Sequence, residues 1–496
     1  MFVHIIKHHL SSFRSFYFLK SDYDIYICLM ITFILNNQLV STYRPAGSSL
    51  LDFIRSDMEM PGTKIGCREG DCGACTVLEG TLKNNKVIYK SIVSCLTPLG
   101  NSHGKHIVTI EGLNMEHLSP VQQALVENNA TQCGFCTPGF VMSLTAHSLS
   151  KVKSNKQKAI ASISGSICRC TGYKSIEKAA EVISSFLKDK SLEDPVNWLV
   201  TNKFLPGYFL KIPDRLALIK KNIHWSGKED ILIAGGTDLM VQKAEELAEE
   251  KINLLQHRKD LKDIIVKNGK CTIGPATTIS EIEQSSIIKE QIPEISSFFG
   301  LIASEPIRNM ATIAGNIVNA SPIGDLTIMF LALNAEVITD GPIGTRTIPL
   351  RDLFLGYKKL SINKDEFVKS ITFILPAKPI LFNFEKVSRR THLDIASVNS
   401  AIQIIMEAEK VSECYLSAGG VSPIPLFLTR TSSFLRGKTI TPNNLIQANS
   451  ILQEEISPIS DVRGSQDYKR LLLRQLFYAH FMKLFPNRIS EGDFLK

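Results

Sequence analysis

The sequence predicts a multidomain α+β chain, and three observations carry that prediction. Its 496 residues exceed what a single hydrophobic core accommodates, so several domains are expected. Eight of its eleven cysteines lie between Cys67 and Cys170, which marks off an N-terminal part rich in thiols. From about residue 206 onward, strand-like runs such as "ILIAGG", "INLLQ" and "CTIGPATTI" alternate with helical patterns such as "EISSFFGLIAS" and "IGDLTIMFLALN". That alternation is the mark of an α/β or α+β region.

In chain order, residues 1–29 mix aromatic, basic and His residues without a period. They are expected to be a disordered extension upstream of a true start at Met30, with His8 and His9 part of an unfolded tail. "MITFILNNQLVSTYRP" reads as strand, Asn-Asn turn, strand, and "SSLLDFIRSD" as a helix capped by Ser48 or Ser49. "KVIYKSIVSC" and "HIVTIEG" add short strands to a domain spanning 30–113. Residues 114–190 read as helical: Ser119 caps and Pro120 begins one helix, and Thr137 with Pro138 repeats the device. "KSIEKAAEVISSFLK" then follows at a 3.6-residue period. The basic "KVKSNKQK" at 151–158 reads as a solvated connection, and 191–205, with "SLEDP" and "NKFL", as a linker. The remainder divides into 206–378 and a final segment, 379–490, that opens with "FNFEKVSRR", turns at "LSAGGVSPIP" and ends in a long helix.

Composition removes several classes. The net charge of +8 is spread without a long Lys/Arg block, so no nucleic-acid footprint is expected. No stretch reaches the roughly 20 apolar residues that span a bilayer; the nearest, "IYICLMITFIL" at 25–35, is too short. No small-residue cleavage site follows it, so a secretory signal is not expected either. Crowded cysteines in a large chain of this kind favour metal ligation in a reducing compartment over a disulfide framework, which points to the cytoplasm.

"GCREGDCGACTVLEG" places Cys67, Cys72 and Cys75 as C-x4-C-x2-C, with Cys95 after nineteen intervening residues. This is the plant-type [2Fe–2S] spacing. Gly66, Gly70 and Gly73 let backbone N–H groups approach the sulfurs, where hydrogen bonds tune the potential. Structural zinc sites usually carry two tight pairs, which the isolated Cys95 does not supply. "TQCGFCTPG" and "SGSICRCTGY" give a second quartet, Cys133, Cys136, Cys168 and Cys170, as C-x2-C and C-x-C. On spacing alone zinc remains a rival there. The tight C-x-C pair, and a ferredoxin-like loop earlier in the chain, favour a second cluster.

The array "GCREGDCGACTV…SC…QCGFCTPGF…CRCTGY" resembles the paired [2Fe–2S] domains of the xanthine dehydrogenase and aldehyde oxidase family of molybdenum hydroxylases, and the resemblance runs from about Met30 to near the C-terminus. It implies a β-grasp ferredoxin domain, a four-helix [2Fe–2S] domain, an α/β FAD-binding domain of the PCMH type and a C-terminal α+β subdomain. It also implies that Gln132 and Cys170 lie closest to the pterin. Ser166 stands where the family usually has Asn, a change expected to affect local helix capping only.

"ILIAGGTDLMV" and "ATIAGNIVNASPIGDL" are strand–turn–helix corners whose glycines open the backbone to a diphosphate. Neither is a G-x-G-x-x-G unit, and either alone would be an ordinary corner. The family resemblance assigns FAD contacts to Leu232, Ile233, Ala234, Gly235, Gly236, Thr237, Asp238 and Leu239, and to Thr312, Ile313, Ala314, Gly315 and Asn316. Asp325 is a further contact, and Lys386 lies near the flavin ring. The family more often has Gly where this chain has Ala314, and an aromatic where it has Ile302. Arg389 and Arg390 read as a salt-bridged surface pair, the alternative being a site for a nicotinamide dinucleotide's phosphates, and Cys271 and Cys414 read as small buried hydrophobes.

By the same resemblance, the chain is expected to be the electron-transfer subunit of a xanthine dehydrogenase-type hydroxylase that oxidises hypoxanthine and xanthine to urate. Electrons would run from a molybdopterin-binding large subunit through two [2Fe–2S] clusters to FAD and on to NAD, in a dimer of heterodimers. No catalytic residue is expected in this chain. Alternatives are a small subunit of an aldehyde or N-heterocycle hydroxylase, or a stand-alone iron–sulfur flavoprotein carrier.

Overall fold

The computed structural model describes residues 30–220, 231–375, 380–390 and 393–494. The expected N-terminal extension and its His pair lie outside the described residues.

The first unit is a mixed sheet of five strands, in the order Gln38–Thr42, Ile31–Leu35, His106–Val108, Thr76–Lys83, Lys86–Val93. Ile31–Leu35 runs parallel to His106–Val108 and the other neighbours are antiparallel, a β-grasp layout. Asn36, with φ of 53°, supplies the left-handed residue of the first hairpin, a conformation Asn tolerates better than most. Ser49 caps the short helix Leu50–Asp52 by accepting from Leu51 N–H, and the helix widens into one π turn at Phe53–Asp57. Phe33, Leu50, Phe53, Ile54 and Val77 close the core between sheet and helix.

Four helices follow: Pro120–Glu127, Thr137–Leu149, Lys156–Ser162 and Lys174–Phe186. Ser119 and Gln122 cap the first reciprocally, a device worth about 1 kcal/mol. Three expectations need correction here. In the second helix Cys136, not Thr137, holds the N-cap position, without a side-chain cap bond, and the Thr137 hydroxyl bonds Thr131 instead. The basic stretch at 151–158 is only partly a connection, because Asn155 caps a helix starting at Lys156. Nor is 191–205 a free linker. Asp194 caps a helix Pro195–Thr201, and Leu199, Phe204 and Leu205 are buried in the same core as Leu144 and Ile183. Phe209, Ile212 and Leu216 join that core, so the helical unit draws in chain well past residue 206. Short-range polarity reads as linker, but apolar residues at these spacings found a long-range partner.

The third unit has a parallel pair, Ile231–Ile233 with Ile252–Leu254, and a five-stranded antiparallel sheet. The latter runs Gly344–Pro349, Glu336–Gly341, Phe367–Ile374, Lys270–Ile273, Ile264–Lys267. The helix Asp325–Ala332 is buried from Leu326 onward, as a helix apolar on all sides but for Thr327 must be. It packs on the strands Val398–Glu407 and Lys410–Gly419 of a last, four-stranded sheet, whose other side takes the helix Gln466–Leu484. The parallel pair shares its core with the first sheet: Ile233, Leu254 and Met310 pack with Cys75, Leu96 and Ile307.

Candidate redox centres and flavin site

The first cysteine loop crosses from the π turn to the strand Thr76–Lys83 through left-handed residues at Arg68, Gly70 and Gly73 (φ 59°, 80° and 66°). Arg68 is tied down by two hydrogen bonds to the Asp52 carboxylate, of 3.0 and 2.7 Å. The loop thereby turns its amides onto sulfur: Glu69 N–H donates to Cys67 Sγ (3.3 Å) and Cys67 N–H to Cys72 Sγ (3.4 Å). A methyl on Gly66 would lie 2.5 Å from Cys72 Sγ, so the loop closes on that sulfur only with glycine there.

The four sulfurs meet as pairs. Cys67 bonds Cys72, and that thiol holds Cys67 down to about 5. Cys75 bonds Cys95, which lowers it in turn, and both are buried. In the second quartet Cys136 pairs with Cys168 and Cys133 with Cys170. Burial, then the Cys168 thiol, pushes Cys136 up to about 12. Thr171 Oγ1 donates to Cys168 Sγ at 3.2 Å.

The thiols of each quartet stand as two pairs. A [2Fe–2S] centre has four thiolates shared between two irons, and two thiol pairs beside N–H-bearing loops fit it. No disulfide competes, since all ten described cysteines are free.

The two cysteine loops touch. Ile167 N–H, next to Cys168, donates to the carbonyl of Cys72 at 3.0 Å. A methyl on Gly73 would sit 2.6 Å from Ser166 Oγ and 2.8 Å from Ser166 Cα. One on Gly139 would overlap the Gly73 carbonyl. Ser166 does not serve as the helix cap expected of it. It is buried at this junction, and its hydroxyl has no hydrogen-bond partner among the described residues. Cys133 and Cys170 face outward, and Gln132 Nε2 donates to the Cys170 carbonyl at 3.3 Å.

The two glycine turns assigned to FAD come together. The segment Leu232–Leu239 turns at Gly235 and Gly236, the latter with φ of 80°. A methyl on Gly235 would overlap the Met310 carbonyl, just before the segment Thr312–Asn316. Among the described residues nothing accepts from the backbone N–H of Gly235, Gly236, Thr237 or Asp238. Four successive amides without acceptors fit a diphosphate, which supplies anionic oxygens to such a turn. The ferredoxin unit forms one wall: Gly236 abuts Pro98, and Asn101 Nδ2 donates to the Ala234 carbonyl at 3.3 Å.

Thr312 caps the helix Ile313–Val318 by accepting from Gly315 N–H (3.2 Å). Asn316 Oδ1 accepts from Thr327 N–H and hydroxyl at 3.0 and 2.9 Å, which fixes the start of the helix carrying Asp325. Asp325 and Lys386 form a 2.7 Å ion pair with side chains 12% and 2% exposed. Burial pulls the Asp325 carboxyl up, and Lys386 and Asn399 oppose it. Lys386 also donates to the Leu301 carbonyl (2.7 Å), and Asn399 Nδ2 to Asp325 Oδ1 (2.6 Å). Ala314 and Ile302 are both buried in the hydrophobic core. Arg390 faces Asp394 at 3.7 Å, while Arg389 bonds the Val462 carbonyl instead of a carboxylate. Asn399 joins this network without any motif that marks it in sequence.

Comparison with known proteins accounts for the same stretches. Residues 33–99 match the 2Fe-2S iron-sulfur cluster binding domain and 109–181 the [2Fe-2S] binding domain. Residues 211–377 match the FAD binding domain in molybdopterin dehydrogenase, and 383–484 the CO dehydrogenase flavoprotein C-terminal domain. The chain thus carries the paired [2Fe-2S] domains and the flavin domains found in molybdenum hydroxylases. It is similar to xanthine dehydrogenase 1 of Arabidopsis thaliana, 28% identical over 88% of this chain and 38% of that one. To xanthine dehydrogenase/oxidase of Rattus norvegicus it is 24% identical, over 94% and 39%. A solved carbon monoxide dehydrogenase chain from Hydrogenophaga pseudoflava aligns over 53% of this chain and 92% of its own, at 25% identity and a TM-score of 0.49. The chain spans about two fifths of the length of the curated relatives it matches. Within the molybdenum hydroxylases it thus corresponds to the part with two [2Fe–2S] domains and an FAD-binding domain. Among the described residues no helix is long and apolar enough to cross a membrane.

Proposed function

We propose that this chain is the electron-transfer part of a xanthine dehydrogenase-type hydroxylase, through which reducing equivalents from purine oxidation on a molybdopterin-binding partner leave to NAD+. The observation that carries the reading is continuity. The outward-facing Cys133 and Cys170, the junction of Cys72 with Ile167, and the Pro98–Gly236 contact join three cofactor-type sites without a gap. When bound, the clusters would supply one-electron carriers and the flavin a two-electron outlet.

The chain's own residues have separable tasks in this reading. Cys67, Cys72, Cys75 and Cys95 hold one cluster, and Cys133, Cys136, Cys168 and Cys170 the other. The amides of Glu69 and Cys67 and the hydroxyl of Thr171 stabilise thiolate charge. The free amides of 235–238 hold the flavin's diphosphate, and the buried Asp325–Lys386 pair presents a fixed dipole beside it. The partner would cover the face round Cys170, where Phe135, Ile167 and Tyr173 are exposed by 47%, 37% and 37%. The resemblance supports a cytoplasmic dimer of heterodimers.

Purification should yield about four irons and one FAD per chain, and xanthine-dependent NAD+ reduction once the partner is added. Zinc without iron would overturn the cluster assignment. Iron and flavin without xanthine activity in the complex would overturn the substrate while leaving the redox module standing.

A further inference from the structure

A hairpin outside the assigned flavin segments reaches over them. Its strands, Phe354–Gly356 and Lys359–Leu360, are joined by a turn in which Lys358 takes φ of 56°. From that turn Lys358 Nζ donates to both the carbonyl and Oδ1 of Asn319, at 2.5 and 2.7 Å. Asn319 lies just past the helix Ile313–Val318, and its Nδ2 donates to Asp238 Oδ1 at 2.7 Å. Gln242 Nε2 adds a longer bond to Asn319 Oδ1, 3.4 Å. Asn319 is therefore the node that ties the hairpin to the end of the turn with four free amides.

The charges make this arrangement consequential. Asp238 is a carboxylate at the end of a turn proposed to receive a diphosphate, and two anions there repel. Lys358 is the cation whose field reaches Asp238: burial pushes that carboxyl up and Lys358 opposes the shift. We infer that Lys358 is a positioning residue for the flavin dinucleotide: through Asn319 it fixes the diphosphate turn, and its charge offsets Asp238 so that the turn accepts an anion. This rests on the flavin reading above and adds a residue outside the segments assigned to it.

The test uses the full chain stripped of flavin and titrated with FAD, followed by quenching of flavin fluorescence. Lys358→Met should raise the Kd for FAD about fivefold, the worth of one typical hydrogen bond. Lys358→Arg should keep the wild-type value. Adding Asp238→Asn to Lys358→Met should recover part of the loss, since the uncompensated carboxylate is then gone. The lysine is exposed, so the fold does not depend on it. An unchanged Kd in Lys358→Met, with wild type binding normally, would overturn the inference alone. A loss undiminished in the double variant would overturn its electrostatic half. Wild-type protein that binds no FAD would remove the flavin reading and this inference together.

Discussion

Replacing Gly73 by alanine tests the contact that brings the two cysteine quartets together. The substitution acts in two ways. Gly73 has φ of 66°, where an L-residue costs about 1 kcal/mol. Its new methyl would also stand 2.6 Å from Ser166 Oγ and 2.8 Å from Ser166 Cα, and would overlap the Gly165 carbonyl. Overpacking of this kind costs about 2 kcal/mol, so the sum is about 3 kcal/mol. Relief requires the segment 165–167 to move away, which stretches the 3.0 Å bond from Ile167 N–H to Cys72. Gly104→Ala is the internal control: Gly104 has φ of 69° and nothing within 4 Å of an added methyl, so it carries the backbone penalty alone. Denaturant unfolding should therefore show Gly73→Ala about 2 kcal/mol worse than Gly104→Ala. Electron paramagnetic resonance of the reduced protein should show weaker magnetic coupling between the clusters in Gly73→Ala only. Equal stability losses with unaltered coupling would refute the idea that this contact sets the spacing.

Two further outcomes follow from the same structure. Cys136→Ser should lower iron to about two per chain and abolish xanthine-driven electron flow, while NADH-to-dye activity persists; equal loss of both activities would contradict the proposed order. His480 is buried between Asn383 and Ser400, and burial lowers it from 6.5 to about 3. The unfolded chain then takes up the proton first, so the share of stability due to His480 falls as pH drops below 6.5, by about 1 kcal/mol one pH unit lower. Burial lowers His106, His147 and His257 in the same way, so His480→Phe should make the slope in unfolding experiments shallower without removing it, and an unchanged slope would refute the His480 share.

The legible parts of this protein were those with local causes. Ser119 and Pro120 announce a helix because the cap and the fixed proline φ act within one turn. Asn36–Asn37 announces a hairpin for a similar reason. What failed was local reading of long-range packing. Polar neighbours made 191–205 look like linker, yet Leu199, Phe204 and Leu205 are core residues of the helical unit. From its own turn alone Ser166 reads as a position that affects capping, whereas its neighbour in space is Gly73.

The sequence by itself determined the chemistry on offer: eight thiols at two characteristic spacings, and two glycine turns able to approach a diphosphate. Only the tertiary structure decided how they pair and meet. It set Cys67 with Cys72 and Cys75 with Cys95, laid Cys72 against Ile167, and hung Lys358 over Asp238 through Asn319. Spacing along a chain is covalent and can be counted. Contact between residues up to 95 positions apart depends on which apolar faces bury one another, and that is settled only when the whole core closes.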